Sequence, residues 1–362
     1  MAVLSEFLNG VEQRPITVAG AGVLGLWQAL KLARGGAKVR LIDHSSDPLA
    51  SSASSYAGTM LAPFCEAEAA PKTVLDHGLQ ALALWREAYP GLVSEGTLVL
   101  AAARDHSELE RFARMTEGHT TCDAARLSEL EPDLGGRFAA GLHFADEAHM
   151  ATPDVLAFLL DEARAAGVEV NFGVQLAELE EEDSEHSGLL IDCRGLGARQ
   201  QLPRLRGVRG ERVILRTPEV SFRRPVRLLH PRHPIYVVPW SDCEFMVGAT
   251  VLESEDDSPV SVRSMLELLG TAYTLHTAFS EAEIVDSGSG VRPAFDDNVP
   301  KVIVCERQRC IHVNGAYRHG FLLAPVLAQC VADLLAGSAA SHPLVDFTEP
   351  DRPPLRQPDE VI

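Results

Sequence analysis

Residues 16–43 read ITVAGAGVLGLWQALKLARGGAKVRLID. The β-branched run ITVA predicts a strand, and the apolar stretch LWQALKLA predicts a helix that Gly35 and Gly36 end. Residues 38–42, KVRLI, predict a second strand. Strand, helix and strand in this order form one βαβ unit of the expected length. The chain therefore opens with a parallel βαβ unit.

The turn between the first strand and the helix is Gly20-Ala-Gly22-Val-Leu-Gly25. Gly20 allows the tight turn, Gly22 lets the backbone approach a pyrophosphate, and Gly25 lets the helix pack closely on the strand. The helix N-terminus presents N–H groups and a positive dipole end to phosphates. Asp43 ends the second strand, where a carboxylate can hold ribose hydroxyls and disfavours a 2′-phosphate. The motif and its flanking elements predict a dinucleotide site and argue against NADP.

Two further segments favour FAD over NAD. Residues 51–60, SSASSYAGTM, are small and polar and follow the second strand directly, so they suit the lining of a flavin. Residues 313–322, VNGAYRHGFL, run from a strand into an apolar helix. A reduced flavin carries negative charge at its N1/O2 edge, which a helix N-terminus would stabilise.

Composition limits the partners of the chain. The 362 residues are 46% hydrophobic and carry a formal net charge of -19. Such an acidic surface disfavours nucleic acid and anionic membranes, and an anionic substrate needs local arginines to attract it. Seven scattered cysteines without a C-x-x-C pair indicate reduced thiols. With no signal-peptide pattern and no long apolar run, we expect a cytoplasmic protein with no membrane partner.

The order of the elements predicts an α/β fold. βα patterns occur at both ends of the chain, and the block 206–250 between them is rich in β-type residues. We expect a Rossmann-like FAD-binding domain built from several segments and interrupted by an α+β substrate domain with a mostly antiparallel sheet. The predicted boundaries are 1–90, 140–205 and 288–342 for the FAD-binding domain, 91–139 and 206–287 for the substrate domain, and 343–362 for a tail.

Eight stretches in chain order carry a family resemblance. They are AGAGVLGL at 19–26, AGTMLA at 57–62, IDCRGLGAR at 191–199, RGVRGE at 206–211, RLLHPRHPIYVVP at 227–239, VGAT at 247–250, GVRPAFDDNVPKV at 290–302 and VNGAYRHGFLLAP at 313–325. Together they resemble the FAD-dependent oxidoreductases of the D-amino-acid-oxidase type, and within them the glycine oxidases of thiamine biosynthesis.

The resemblance implies a cofactor site for FAD. The FAD is expected to be held without a covalent bond, because no cysteine lies near residues 318–321. Asp43 takes the ribose position, where the family more often has Glu. The implied cofactor residues are Gly20, Gly22, Val23, Leu24, Gly25, Asp43, Ser52, Ala57, Gly58, Thr59, Val174, Gly195, Ala316, Tyr317, Arg318, His319, Gly320, Phe321 and Leu322.

The resemblance also implies a substrate site. Arg292 matches the arginine that pairs with the substrate carboxylate, Tyr236 matches a hydroxyl donor to the same group, and Arg318 lies beside them. Val251 stands where many relatives carry Met, and Trp240 stands where Arg or Lys is common. Both departures affect the expected pocket volume, so they leave the exact substrate open.

The chemistry of these residue types fits amino-acid oxidation. A guanidinium binds a carboxylate bidentately and so fixes its orientation, which can direct the Cα–H towards the flavin. The flavin carries the hydride chemistry, so we expect no catalytic side chain. His319 is interpreted as a packed loop residue. His230 and His233 have the H-x-x-H spacing of zinc ligands, but with no third ligand in view we expect no metal.

Three functional hypotheses follow. The leading one is an oxidase that converts glycine or a similar small amine with oxygen into the imine or glyoxylate, ammonia and hydrogen peroxide, with hand-over to a thiazole-forming enzyme as a further expectation. The second is a dehydrogenase of another small D-amino or N-substituted amino acid that uses a non-oxygen acceptor. The third is a flavin-binding accessory subunit. We also expect a homo-oligomer.

Overall fold

The computed structural model describes residues 15–176, 188–305, 309–338 and 342–347. The predicted tail at 343–362 lies outside the described residues beyond residue 347. Within the described ranges, no helix is long and apolar enough to cross a membrane.

Strands from all parts of the described chain build two large sheets and one small one. In chain order they are β1 Ile16–Ala19, β2 Val39–Asp43, β3 Met60–Leu61, β4 Thr97–Ala101, β5 Thr120–Asp123, β6 Ala140–Phe144, β7 Ala148–His149, β8 Glu169–Phe172, β9 Leu189–Asp192, β10 Arg206–Arg216, β11 Val226–Leu229, β12 Ile235–Pro239, β13 Glu244–Gly248, β14 Glu283–Ala294, β15 Lys301–Cys305, β16 Cys310–Asn314 and β17 Val345–Asp346.

Helices cover both sheets. Those of the described residues are α1 Val23–Arg34, α2 Pro48–Ser51, α3 Pro63–Glu66, α4 Lys72–Ala88, α5 His106–Met115, α6 Ala124–Leu130, α7 Thr152–Ala165, α8 Val262–Leu275 and α9 Gly320–Leu335. Short 3-10 helices at Ala53–Tyr56 and Gly195–Ala198 follow α2 and β9.

The first sheet contains the predicted βαβ unit. Its strand order is β17-β15-β16-β9-β1-β2-β8, and every neighbouring pair is parallel except β15 and β16. The chain leaves β1 towards β2 on one side, while β9 lies on the other. Ligands of such sheets bind outside the carboxyl ends of the strands where the order reverses. Here that position is the carboxyl end of β1 and β9.

Buried aromatic residues hold the helices of this sheet together. Trp27 of α1 and Trp85 of α4 meet edge to face with their ring centroids 4.9 Å apart. The indole Nε1 of the fully buried Trp85 donates a hydrogen bond to the carbonyl of Phe321, at 2.7 Å. This bond satisfies the indole donor and fixes the first turn of α9.

The second sheet is mostly antiparallel, as predicted. Its order is β14-β10-β13-β12-β11-β4-β6-β5, and only β11 and β4 run parallel within it. Val213 and Leu215 of β10 belong to the apolar core that includes α8. Because successive side chains of a strand point to opposite faces, Gly210 and Arg212 face away from α8.

The end of β14 contacts the first sheet next to the first turn of α9. Ala294, the last residue of β14, forms a β-bridge with Ala316, and the N–H of Tyr317 donates to the carbonyl of Pro293 at 2.8 Å. The predicted domain boundaries stay a prediction. In the structure β6 and β14, which lie at two of those boundaries, both pair within the second sheet.

The contact between α1 and the glycine turn generates a prediction. A Cβ added at Gly25 would lie 1.7 Å from the carbonyl oxygen of Gly20, which is backbone and cannot rotate away. We expect Gly25→Ala to lower the free energy of unfolding by roughly 1–3 kcal/mol and to reduce cofactor content, as measured by denaturant titration and absorbance.

Gly270→Ala in α8 is the matched control, since nothing lies within 4 Å of the added Cβ. In a helix interior this change should stabilise by up to about 1 kcal/mol. Equal stability of the Gly25 and Gly270 variants would show that α1 does not depend on this close approach.

Candidate functional site

A cavity of about 580 Å³ is lined by residues of both large sheets. It begins at the carboxyl end of β1, where Gly20 and Gly22 lie, and extends past the segment 57–60 to Tyr236 of β12 and Arg292 of β14. The predicted nucleotide residues and the predicted substrate residues therefore share one continuous space.

The glycine turn leaves the N-terminus of α1 open to the cavity. Gly20 has a φ of +98°, and a Cβ there would lie 2.6 Å from the carbonyl oxygen of Cys193. Gly22 is the N-cap residue and supplies no side-chain cap. The N–H of Val23 donates to Ser54 Oγ at 3.0 Å. This arrangement fits a pyrophosphate, because Gly20 permits the tight turn and the first turn of α1, which lines the cavity, has no side-chain cap that would cover it.

Asp43 closes the turn from the side of β2. Its Oδ2 accepts from the N–H of Ala21 at 2.7 Å, and its Oδ1 accepts from the N–H of Ser45 at 2.8 Å. The side chain is 9% exposed and borders the cavity. The carboxylate is thus fixed beside the turn at the position predicted for the ribose.

Most of the predicted cofactor residues line the cavity, and three do not. Gly25 packs against Gly20 behind the turn. His319 is 2% exposed, with Nδ1 3.6 Å from Glu66 Oε2, and the Leu322 side chain approaches Gly78 of α4. The residues that line it are Gly20, Gly22, Val23, Leu24, Asp43, Ser52, Ala57, Gly58, Thr59, Val174, Gly195, Ala316, Tyr317, Arg318, Gly320 and Phe321.

Tyr236 sits in a slot between two glycines. A Cβ at Gly58 would lie 2.5 Å from the ring atom Cε2, and one at Gly248 would lie 3.1 Å from the same atom. The glycines therefore leave room for the ring beside both segments. Burial raises the pKa of the Tyr236 phenol, so that the group stays protonated and can donate a hydrogen bond.

Arg292 lies over Gly210 of the neighbouring strand. The two strands pair so that Gly210 faces Gly290, and a Cβ at Gly210 would lie 1.9 Å from the Arg292 Nη2. Nη1 donates to the carbonyl of Thr250 at 3.3 Å. Burial lowers the pKa of Arg292, and no carboxylate of the described residues lies within ion-pair distance of it. Such a cation is poised to take an anion from solution.

Arg318 differs from Arg292 because it already has a partner. Its Nη2 lies 2.9 Å from Glu66 Oε1, at the end of α3. Glu66 raises the pKa of Arg318. Burial would raise the pKa of Glu66, but the charges of Arg318, His319 and Arg227 outweigh burial and lower it. The pair is therefore ionised on both sides and electrically neutral as a unit.

The remaining arginines of the cavity wall are also balanced. Arg194 Nη2 lies 2.7 Å from Asp192 Oδ2, and Arg227 Nη2 lies 2.9 Å from Glu68 Oε2. Burial opposes ionisation of Asp192, but hydrogen bonds from His312 and Arg194 lower its pKa to about 2. Among the cavity-lining arginines, Arg292 thus supplies the one positive charge that no nearby carboxylate of the described residues cancels.

Sequence analysis assigned the segment 51–60 to the flavin without singling out Ser54 and Tyr56, and it missed Glu66, Arg194 and Arg227 of the cavity wall. Arg194 and Arg227 stand within stretches that carried the resemblance, whereas no sequence signal pointed to Glu66. Val251 and Trp240, the two departures from the family pattern, do not line the cavity. Val251 is 48% exposed, and Trp240 packs its ring 5.8 Å from the Arg212 guanidinium.

Comparisons with known proteins find a matching family model and similar sequences. The sequence model of the family described as DAO, FAD dependent oxidoreductase, matches residues 15–334. A protein of Rhizobium etli described as a thiamine biosynthesis oxidoreductase, ThiO, is 46% identical over 93% of this chain and 98% of its own length. The bifunctional protein ThiO/ThiG of a Nostoc species is 26% identical over 92% of this chain and 54% of its own length.

Solved structures show the same fold. The crystal structure of glycine oxidase from Geobacillus kaustophilus superposes with a TM-score of 0.74 at 25% identity, covering 95% of this chain and 99% of that protein. Iminodiacetate oxidase from a Chelativorans species superposes with a TM-score of 0.74 at 21% identity, covering 91% and 97%. The second likeness concerns the fold alone.

The contact between Gly210 and Arg292 generates a prediction. Gly210→Ala should displace the guanidinium while leaving the glycine turn intact. We expect normal FAD content and a dissociation constant for acetate that rises roughly tenfold or more, measured by titration of the flavin absorbance. Gly270→Ala again serves as the matched glycine control. An unchanged affinity for acetate at full FAD content would show that Arg292 does not receive the anion.

Proposed function

Because this chain belongs to the DAO family of FAD-dependent oxidoreductases, we propose that it oxidises glycine, or an amino acid of similar size, at its Cα–N bond. The observation that carries this proposal is the unbalanced charge of Arg292 in a cavity where Arg194, Arg227 and Arg318 are all paired with carboxylates. One uncompensated cation matches one carboxylate, which favours a monocarboxylic amino acid over a plain amine.

Arg292 and Tyr236 are proposed to hold the substrate carboxylate. The guanidinium can form two parallel hydrogen bonds to it, and these fix its orientation as well as its position. The Tyr236 phenol, held between Gly58 and Gly248, supplies a third donor. Arg318 stays with Glu66 and borders the same space. With the carboxylate held in this way, the Cα–H of a small amino acid has few orientations left.

The cavity-lining residues of the glycine turn, the segment 52–59, Val174, Gly195 and the segment 316–321 are proposed to hold FAD without a covalent bond. When bound, FAD would accept the hydride that leaves the substrate Cα. The substrate loses a hydride from Cα and a proton from nitrogen to give the imine. Oxygen takes up the two electrons as hydrogen peroxide, and water converts the imine into the oxo acid and ammonia.

No side chain is assigned as a base. Burial lowers the pKa of His319 to about 4, and the ring lies behind the cavity wall, so it is a poor proton acceptor for the substrate. Glu66 is engaged by Arg318. The substrate amine must therefore react in its neutral form, because an ammonium has no lone pair with which to stabilise the forming imine.

The relatives support a place in thiamine biosynthesis. The 46% identical relative is described as a thiamine biosynthesis oxidoreductase. The bifunctional ThiO/ThiG protein carries a ThiO part and a ThiG part in one chain. We propose that the imine serves thiazole formation and passes to a thiazole-forming partner. We also propose that the chain forms a homo-oligomer.

Peroxide release tests the proposal directly. The purified protein with FAD, supplied with glycine and oxygen, should form hydrogen peroxide and glyoxylate in equal amounts. Flavin reduction by glycine without peroxide would instead indicate a dehydrogenase with another acceptor. If a panel of small amines and amino acids left the flavin oxidised, the chain would be an accessory flavoprotein.

The role of Arg292 leads to a prediction. Arg292→Ala should raise KM for glycine steeply, because losing one partner of a desolvated charge pair costs about 2–5 kcal/mol. FAD content, measured after denaturation, should stay normal. Arg292→Lys should recover only part of the affinity, since a point charge cannot reproduce the two-pronged guanidinium. A near-normal KM in the Ala variant would remove the substrate assignment.

The protonation state of the amine leads to a pH prediction. We expect the anaerobic rate of flavin reduction by glycine to rise with pH through one ionisation, which belongs to the bound amine. His319, with a pKa of about 4, is already neutral above pH 6, so His319→Gln should keep this ionisation. The measurement is stopped-flow absorbance across the pH range at saturating glycine.

Glu147 provides the control for this experiment. Burial raises its pKa to about 7, so it titrates in the same range, and its Oε1 accepts from the N–H of Cys65 next to Glu66. Glu147→Gln mimics the protonated form and should also keep the ionisation. Loss of the pH dependence in either variant, with substrate still bound, would identify that residue as the ionising group and contradict the mechanism.

A further inference from the structure

Strand β14 presents a bare stretch of backbone beside the carboxylate anchor. Its sequence Ser287-Gly-Ser-Gly-Val-Arg292 places Gly288, Gly290 and Arg292 on one face, because alternate residues of a strand point to the same side. Glycine is unfavourable inside strands, and it often marks a place where another group approaches closely. Two such residues in register with Arg292 indicate that something else occupies this face.

The side chain of Tyr56 fills that space. A Cβ at Gly288 would lie 2.4 Å from the ring atom Cε1, and a Cβ at Gly290 would lie 2.9 Å from Cδ2. Tyr56 ends the 3-10 helix Ala53–Tyr56 and borders the cavity. The ring therefore lies against β14 as part of the cavity wall.

Arg212 holds the same ring from the neighbouring strand. It pairs with Gly288 across the sheet, and its Cζ lies 5.3 Å from the centroid of the Tyr56 ring. The side chain of Arg212 is 8% exposed and is flanked by the Trp240 ring at 5.8 Å, while its Nη1 lies 2.9 Å from Asp286 Oδ2. A guanidinium over an aromatic face is attractive, more so when water is excluded.

The ring and the carboxylate anchor are direct neighbours. Gly290, which the ring covers, pairs with Gly210, over which the Arg292 guanidinium lies. Opposite residues of such a strand pair are about 5 Å apart. A ligand whose carboxylate is held by Arg292 therefore meets the Tyr56 ring on this side before it meets any other side chain of β14.

We propose that Tyr56 is a specificity-determining residue that limits the length of the substrate beside the carboxylate anchor, and that Arg212 is the positioning residue that holds it there. The inference rests on the proposed function and deepens it. A glycine-sized molecule fits next to the ring. A longer substituent on the nitrogen or on Cα would require the space that the ring fills.

Binding of simple carboxylates tests the inference without turnover. Acetate and butyrate are titrated into the FAD-bound protein, and the perturbation of the flavin absorbance gives the two dissociation constants. Tyr56→Ala should shift the ratio in favour of butyrate by roughly tenfold or more, the scale on which pockets discriminate by a methylene or two. Tyr56→Phe keeps the ring and should keep the ratio of the unaltered protein.

Tyr273→Ala is the matched control, since Tyr273 lies on α8 and is 50% exposed. Should Tyr56→Ala bind too little FAD, Tyr56→Leu, which keeps part of the volume, should show a smaller shift in the same direction. A ratio that stays within about twofold of the unaltered protein in an FAD-loaded Tyr56→Ala or Tyr56→Leu variant would overturn the inference.

The variant Arg212→Met tests whether Arg212 positions the Tyr56 ring or only supports the fold. Loss of the cation should free the ring and move the carboxylate ratio in the same direction as Tyr56→Ala, but less far, at normal FAD content. If the FAD-loaded Arg212→Met protein kept the original ratio, Arg212 would have no positioning role, and that part of the inference would be wrong.

Turnover distinguishes this inference from the proposed function. Tyr56→Ala should gain in flavin reduction by N-ethylglycine or by one enantiomer of 2-aminobutyrate relative to glycine. If glycine did not reduce the flavin of the unaltered protein, the proposed function would fail, yet the carboxylate ratio would still decide the role of Tyr56. If glycine did reduce it and the ratio did not move, the proposed function would stand and the role of Tyr56 would fall.

Discussion

The site depends on the contact between the end of β14 and the turn that enters α9. One hydrogen bond from Tyr317 to Pro293 and the bridge from Ala294 to Ala316 tie the antiparallel sheet to the parallel one. Arg292 lies just before this contact and Arg318 just after it. A guanidinium carried by one sheet is thereby set beside a helix N-terminus carried by the other. This contact is one of those that bring the carboxylate anchor and the cofactor turn to the same cavity.

The charges of the cavity bear on how so acidic a chain could bind an anionic substrate. A chain with a net charge of -19 repels an anionic substrate over long distances. The cavity does not answer this with an excess of cations, because three of its four arginines carry their own carboxylate partners. It concentrates the attraction in Arg292, where burial makes an uncompensated guanidinium costly until an anion arrives. Under the proposed function, this single uncompensated charge favours a substrate with one carboxylate over a substrate with two.

Local patterns predicted the fold well. The βαβ unit and the mostly antiparallel second sheet were predicted from the order and composition of the segments, and the structure contains both. The same patterns do not show which other strand a given strand pairs with in a sheet. Nothing in the residues of β6 shows that it pairs with β4 and β5 in the second sheet, because both sheets require the same apolar alternation.

The candidate site was only partly predictable for a related reason. Glycines of the turn and Arg292 stand in recognisable motifs, whereas Glu66 became part of the site through a pairing with Arg318 across 252 positions of the chain. His319 lay inside a matching segment and yet points behind the cavity wall, since neighbours on a tight turn face different ways. The residues that escape prediction are those whose role is defined by a distant partner.

Glycines, which have no side chain, make room for the groups of the substrate region. Gly58 and Gly248 admit the ring of Tyr236, Gly210 admits the guanidinium of Arg292, and Gly288 with Gly290 admits Tyr56. Glycine weakens a strand, so its repeated use on the cavity face of one sheet is unfavourable for that sheet taken alone. The compensation is that rigid planar groups pack closely against the backbone, which leaves few rotamers open to them. A site built in this way is ordered before the substrate arrives, and less ordering entropy opposes binding.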